Sequence, residues 1–94
     1  MVWEINSLDI HPGREAEFET AFARAVPLLR RVRGCRAAEL LRCVETPGRY
    51  QVRVEWAALA NHREHYPATA EAAEIRALLL PLIAKAEPAH FEQV

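Results

Sequence analysis

Apolar residues in the first ten positions fall at Val2, Trp3, Ile5, Leu8 and Ile10 and stop before Pro12-Gly13, which predicts a strand ended by a turn. Trp3 and Ile5 point one way and Leu8 and Ile10 the other. That change of parity predicts either a bulge near Asn6-Ser7 or a strand covered on both faces. From Arg14 to about Val32 the apolar positions Phe18, Phe22, Ala25, Leu29 and Val32 step by four, three, four and three, drawing one stripe along a helix. Glu17, Arg24 and Arg31 take the opposite face. Acids gather in the first turns and arginines in the last, each sign suiting the dipole end it meets, and Gly34 reads as the stop. Pro27 removes a hydrogen bond inside this helix, so a kink or break is expected there.

Cys35 to Glu45 and Tyr50 to Trp56 read as two strands of a hairpin joined through Thr46-Pro47-Gly48-Arg49. The second of them alternates cleanly, with Tyr50, Val52, Val54 and Trp56 on one face and Gln51, Arg53 and Glu55 on the other. Ala57 to Tyr66 is helix-like up to Pro67. Ala70 to Lys85 resumes with Ile75, Leu78, Leu79 and Leu82 at helical spacing, subject to Pro81, and Pro88 closes that region. Ala89 to Val94 is short and alternating and is expected to form the last strand. The order predicts an α+β fold of the ferredoxin-like βαββαβ type, a split βαβ with an antiparallel sheet and helices on one face. The other face is then bare. Trp3 and Ile5 part from Leu8 and Ile10, and Leu40 from Leu41, so apolar residues should lie on that face too, and a homodimer through the sheet is expected to cover them.

A chain of 94 residues suits a single domain spanning residues 1–94, and 51% hydrophobic with 27% charged residues is a folding composition. Twelve basic against thirteen acidic residues leave a net charge of −1, which argues against a nucleic-acid partner. Glu4 stands where a secretory leader would carry basic residues, so a cytoplasmic location is expected. The most apolar run, Ile75 to Ala84, is interrupted by Arg76 and Pro81 and is too short to cross a membrane. Cys35 and Cys43, eight residues apart along one strand, are expected to be free thiols.

A strand ending in His11-Pro12-Gly13, a helix with Glu17-Phe18 and Ala21-Phe22, Gly34-Cys35, Glu55-Trp56, a downstream His65 and a closing His90-Phe91-Glu92 together resemble the antibiotic biosynthesis monooxygenase domain family of dimeric α+β barrels. The resemblance spans nearly the whole chain. It implies a cofactor-independent monooxygenase acting on a small phenolic or quinol-type aromatic molecule, with neither metal nor flavin. It also implies a site in which Trp56 is followed nine positions later by His65, Asn6 faces the pocket, and Tyr66 and Thr69 border it. A related haem-degrading branch needs a histidine on the following helix. Ala70 to Lys85 has none, which disfavours that chemistry.

The chemistry such an oxygenase needs is a base that deprotonates the ring hydroxyl inside a dry pocket, so that the electron-rich anion can pass an electron to dioxygen. His65 suits the role of base, and Asn6 could hydrogen-bond the developing oxyanion. Each has a plainer reading: His65 as a half-exposed helix residue, Asn6 as a polar group satisfied at a strand irregularity, and Trp56 as a core anchor beside Val52 and Val54. His62 and His65 are three apart, a spacing that metal ligands use, yet no spaced cysteine pair completes a set and no metal site is expected. The alternative to an enzyme is a non-catalytic protein of the same fold that binds a small ligand or serves in assembly.

Overall fold

The computed structural model describes residues 1–94. Its strands are β1 (Val2–Ile10), β2 (Cys35–Arg42), β3 (Arg49–Trp56) and β4 (Ile83–Phe91), and its two α-helices are α1 (Glu15–Arg31) and α2 (Ala70–Leu79). Between β3 and α2 lie a π-helical turn over Asn61–His65 and a 3-10 turn over Tyr66–Ala68; a second 3-10 turn, Leu80–Leu82, leads into β4. All pairings are antiparallel, in the order β2-β3-β1-β4, so β3 is inserted between the two strands that α1 connects. This is the α+β, split βαβ arrangement, with the helices on one face of the sheet. No helix is long and apolar enough to cross a membrane.

Directly opposed residues in an antiparallel ladder share a face, so the register fixes what each side of the sheet carries. Val2, Glu4, Asn6 and Leu8 stand opposite Trp56, Val54, Val52 and Tyr50. The four β3 residues are buried beneath the helices, so Glu4 and Asn6 point inward as well. Trp3, Ile5, Ser7 and Asp9 face outward. No bulge interrupts Asn6-Ser7, and the only irregularity of β1 lies at Asp9/Ile10 against β4. Strict alternation therefore holds through β1, with two polar residues in interior positions.

The core is built from Phe18, Phe22, Ala25 and Leu29 of α1, Ile75 and Leu79 of α2 and the inner row of β3, with Trp56 and Phe18 wholly excluded from solvent. Each of the larger aliphatic and phenyl side chains among these contributes on the order of 1.5–3 kcal/mol through burial. The β2–β3 hairpin closes with an Arg49 N–H to Thr46 C=O bond of 3.3 Å, and Gly48, at φ +81°, takes the position of a type II turn that favours glycine. Tyr50 donates its hydroxyl to Glu19 at 2.6 Å, and Arg42 donates to the same carboxylate, tying α1 to the hairpin.

Three sequence expectations are corrected. Helix α1 runs from Glu15 through Arg31 without a break at Pro27. Pro27 and Ala23, whose carbonyl loses its partner, both lie on the exposed face, where water can replace the missing bond. Strand β2 ends at Arg42 rather than Glu45. Strand β4 begins at Ile83, so the helical reading of Ala70 to Lys85 stops at Leu79 and Pro88 lies inside the strand opposite Asn6. Helix propensity at Ala84, Lys85 and Ala86 yields to ladder pairing, and proline is tolerated because β4 is an edge.

The outward face is mixed rather than greasy throughout. Trp3 and Ile5 adjoin Phe91 and Ala89 at one end, while Arg53 pairs with Glu39 at 3.7 Å and Arg49 with Asp9 at 3.2 Å. Arg53 also lies over the Trp3 ring, 5.7 Å from its centre, and its buried Nε has no hydrogen-bond partner. Both cysteines are free.

Candidate functional site

Between the sheet and the helices lies a cavity of about 130 Å³, lined by Glu4, Asn6 and Leu8 of β1, Phe22 and Leu29 of α1, Val52 and Val54 of β3, Tyr66, Ile75, Leu79 and Ile83. Nearly all of this wall is apolar. The exceptions are the two interior polar residues of β1 and the Tyr66 hydroxyl. A wider groove of about 520 Å³ runs outside, between α1 and α2, but its polar lining is the solvent-exposed side of α1, including the Arg14–Glu17 ion pair.

Asn6 reaches the cavity with its Oδ1 buried and without a hydrogen-bond partner. A buried carbonyl left unpaired costs about 1–3 kcal/mol, so this oxygen is an acceptor awaiting a donor. Beside it Glu4 is the hub of a polar cluster. Its Oε1 accepts the Trp56 indole N–H at 3.1 Å and lies 3.3 Å from His62 Nε2. On the other side of the ring, His62 Nδ1 is 2.7 Å from Nε2 of His90, which β4 places opposite Glu4.

The π-helical turn explains how His62 arrives there. This turn carries His62 and Tyr66, four apart, onto the Trp56 ring, with centroid distances of 5.2 and 5.6 Å and the imidazole nearly parallel to the indole. Asn61 starts the turn by accepting the Ala58 N–H at 2.9 Å, and its carboxamide fills the space that a side chain on Gly34, at φ +90°, would need.

Burial raises the Glu4 pKa, an effect that the Trp56 hydrogen bond and the charge of His90 partly offset. Burial, with His90 alongside, pushes His62 down to about 4. The two shifts run against a fully charged Glu4–His62 ion pair, and at 2.7 Å from a second imidazole one nitrogen must be a bare acceptor; we assign His62 as neutral at pH 7. Tyr66 is pushed up to about 12, chiefly by burial, so its hydroxyl keeps its proton and remains a donor.

Among the residues expected from sequence, the structure brings Asn6 and Tyr66 together on the cavity wall. Trp56 is fully buried and holds Glu4, His62 and Tyr66 rather than lining the cavity. Thr69 caps α2: its hydroxyl donates to the Tyr66 carbonyl at 2.7 Å and accepts the Ala72 N–H at 3.1 Å. His65 lies half-buried at the end of the π turn, away from the cavity wall. The residues that sequence reasoning missed are Glu4, His62 in its coupling to Glu4, and His90.

With this geometry in place, comparison with known proteins is informative. The family model for "Antibiotic biosynthesis monooxygenase" matches residues 1–77. The chain belongs to the antibiotic biosynthesis monooxygenase family. It is 38% identical over 79 residues to the uncharacterized protein YczJ of Bacillus subtilis (strain 168), covering 84% of this chain and 83% of that one. A crystal structure from Bordetella bronchiseptica that carries the antibiotic biosynthesis monooxygenase name is 37% identical, with a TM-score of 0.95 over 99% of this chain and 96% of the other. SnoaB, a cofactor-independent oxygenase from Streptomyces nogalater, is 26% identical with a TM-score of 0.87, covering 99% and 92% of the two chains. This family member thus shares its fold with an oxygenase, and its cavity lies between sheet and helices.

Proposed function

We propose that the protein is a cofactor-independent monooxygenase of a small phenolic or quinol-type aromatic molecule, bound in the cavity under the helices. The observation that carries this reading is the orphaned Asn6 Oδ1 in a largely apolar hollow. A flat ring satisfies the apolar wall, and its hydroxyl supplies the donor that Asn6 lacks. The size narrows the class. A cavity of roughly 150 Å³ holds one benzene ring, so about 130 Å³ admits a single ring and excludes fused polycycles unless the walls move. Membership of the family and the likeness to SnoaB support the reaction type.

In such a reaction the ring hydroxyl is deprotonated, the anion gives an electron to dioxygen, and recombination forms a carbon–oxygen bond. One oxygen atom enters the ring as a carbonyl and the other leaves as water, so that a phenol and O₂ give a quinone and H₂O. All four electrons come from the substrate. Asn6 orients the hydroxyl, the apolar wall keeps the anion dry, and Tyr66 offers a donor that stays protonated. We further propose that the protein works as a homodimer through the outer sheet face, where Trp3, Ile5 and Phe91 adjoin and the Arg53 Nε lacks an acceptor.

The test is oxygen uptake by the purified protein with a panel of single-ring phenols and hydroquinones, two-ring quinols and anthrone-type phenols. Uptake with the single-ring members, lost in Asn6→Ala and retained in His65→Ala, is the expected result. Binding of a ring without any oxygen uptake would move the assignment to the non-catalytic, ligand-binding alternative.

A further inference from the structure

A buried acceptor for the Trp56 indole could equally be a glutamine, so satisfying that N–H does not explain an acid at position 4. What an acid adds is a proton site, and this one is connected. From the cavity wall the polar contacts run through Glu4 Oε1, across 3.3 Å to His62 Nε2, and from His62 Nδ1 across 2.7 Å to Nε2 of His90, which is exposed to water. Three elements far apart in sequence, β1, the π turn and β4, supply one group each.

We propose that Glu4, His62 and His90 form a proton conduit between the cavity and solvent, with the Glu4 carboxylate taking the hydroxyl proton of the bound ring. This rests on the oxygenase reading for its substrate but not for its existence. The titratable groups that face it are Tyr66 beside His62 and Glu4, and the Cys35 thiol of β2, whose pKa is raised by burial first and by the Glu4 charge second.

The hydrogen positions follow from the contacts. The Trp56 indole only donates, so Oε1 of ionised Glu4 accepts from it and from His62 Nε2–H, leaving His62 Nδ1 to accept from His90 Nε2–H. From this resting arrangement the path first conducts inward: water protonates His90 Nδ1, the His90 Nε2 proton moves to His62 Nδ1 and the His62 Nε2 proton to Glu4, which hands it to the cavity. Outward transfer then begins with hydrogen on Nδ1 of both rings. The substrate O–H bond breaks, its electron pair stays on the phenolate oxygen, and the proton joins Glu4. Glu4 passes a proton to His62 Nε2, the His62 Nδ1 proton moves to His90 Nε2, and His90 releases its Nδ1 proton to water. One proton enters and one leaves. Both rings now carry hydrogen on Nε2, the arrangement from which the same path conducts a proton inward. Oxygenation needs both directions: a proton taken from the ring hydroxyl, and protons returned to the oxygen atom that departs as water. Each passage sets the rings for the opposite one, with no ring flip.

Two experiments on the intact protein test this. With 1,4-hydroquinone as probe, Glu4→Gln, which keeps an acceptor for Trp56, should lower the oxygen-uptake kcat by roughly 100-fold or more, the scale of general acid–base catalysis. His90→Ala should lower it by about tenfold, less than loss of the acceptor itself, and added imidazole should restore the rate. An undiminished rate in Glu4→Gln, or a His90→Ala defect that imidazole leaves untouched, overturns the proposal. Without substrate, ¹⁵N NMR of histidine-labelled protein at pH 7 should show His62 with one hydrogen, on Nε2, and a through-hydrogen-bond coupling from its Nδ1 to His90 Nε2. A doubly protonated His62 or an absent coupling overturns the conduit. Should the wild type consume no oxygen with any probe, the oxygenase reading fails while the NMR result still decides the conduit.

Discussion

Replacing Gly34 with alanine should unfold the protein at a markedly lower temperature and should do so through the π turn. Two costs combine. Gly34 sits at φ +90°, where a side chain is strained by about 1–3 kcal/mol. An added Cβ would also meet the Asn61 carboxamide, lying 2.5 Å from Nδ2 and 2.6 Å from Oδ1, so that group must move. Its displacement breaks the 2.9 Å bond to the Ala58 N–H, worth about 1 kcal/mol. The sum is about 2–4 kcal/mol, which for a domain of this size lowers Tm by roughly 10–25 °C. Thermal unfolding followed by circular dichroism measures it. In an Asn61→Ala background the collision is gone and the cost of Gly34→Ala should fall to the backbone strain, a coupling that a double-mutant cycle reads directly. A Gly34→Ala protein melting within about 2 °C of the wild type, well under the shift expected of 1 kcal/mol, would refute the reasoning. So would a cost unchanged by removal of Asn61.

Stability should depend on the neutral form of His62. Its depressed pKa makes it a group whose contribution is fully present above its unfolded value of 6.5 and lost as pH falls through about 4, a span of at most about 3 kcal/mol that the raised Glu4 pKa offsets in part. Urea titrations at pH 7 and pH 4 should therefore show the wild type losing more stability than His62→Gln; equal losses would contradict this. Leu79→Ala, at the cavity wall, should destabilise by about 2–4 kcal/mol and gain affinity for 2-naphthol relative to phenol, as read by isothermal titration. Trp3→Glu, on the outer face, should yield a folded monomer by light scattering at a concentration where the wild type is a dimer; a wild-type monomer at micromolar concentration would end the dimer proposal.

Much of the scaffold was legible because its signals are local. The alternation of Tyr50, Val52, Val54 and Trp56 and the stripe from Phe18 to Leu29 are both met by burial of those side chains. The β2–β3 turn was legible from Pro47-Gly48 alone. The site was harder. The parity of Leu8 and Ile10, carried back along β1, places Asn6 and Glu4 inside, but two polar residues at core positions resemble a change of face, which leaves a choice between a bulge and a strand covered on both faces. Glu4 was hidden by that choice. His90 was hidden because Ala84, Lys85 and Ala86 favour a helix and Pro88 looks like a stop, whereas ladder pairing with β1 overrides both and sets His90 opposite Glu4. Between His62 and His65 no spacing rule decides, since a π turn rotates its side chains differently from an α-helix and only the fold reveals which imidazole meets Trp56.

The most direct measurement is a crystal structure of the protein soaked with 1,4-hydroquinone under anaerobic conditions. The account predicts the ring between Val54 and Leu79, with one hydroxyl within hydrogen-bond distance of Asn6 Oδ1 and facing Glu4. An empty hollow beside a ring held elsewhere on the molecule, or Asn6 turned away to another partner, would contradict it.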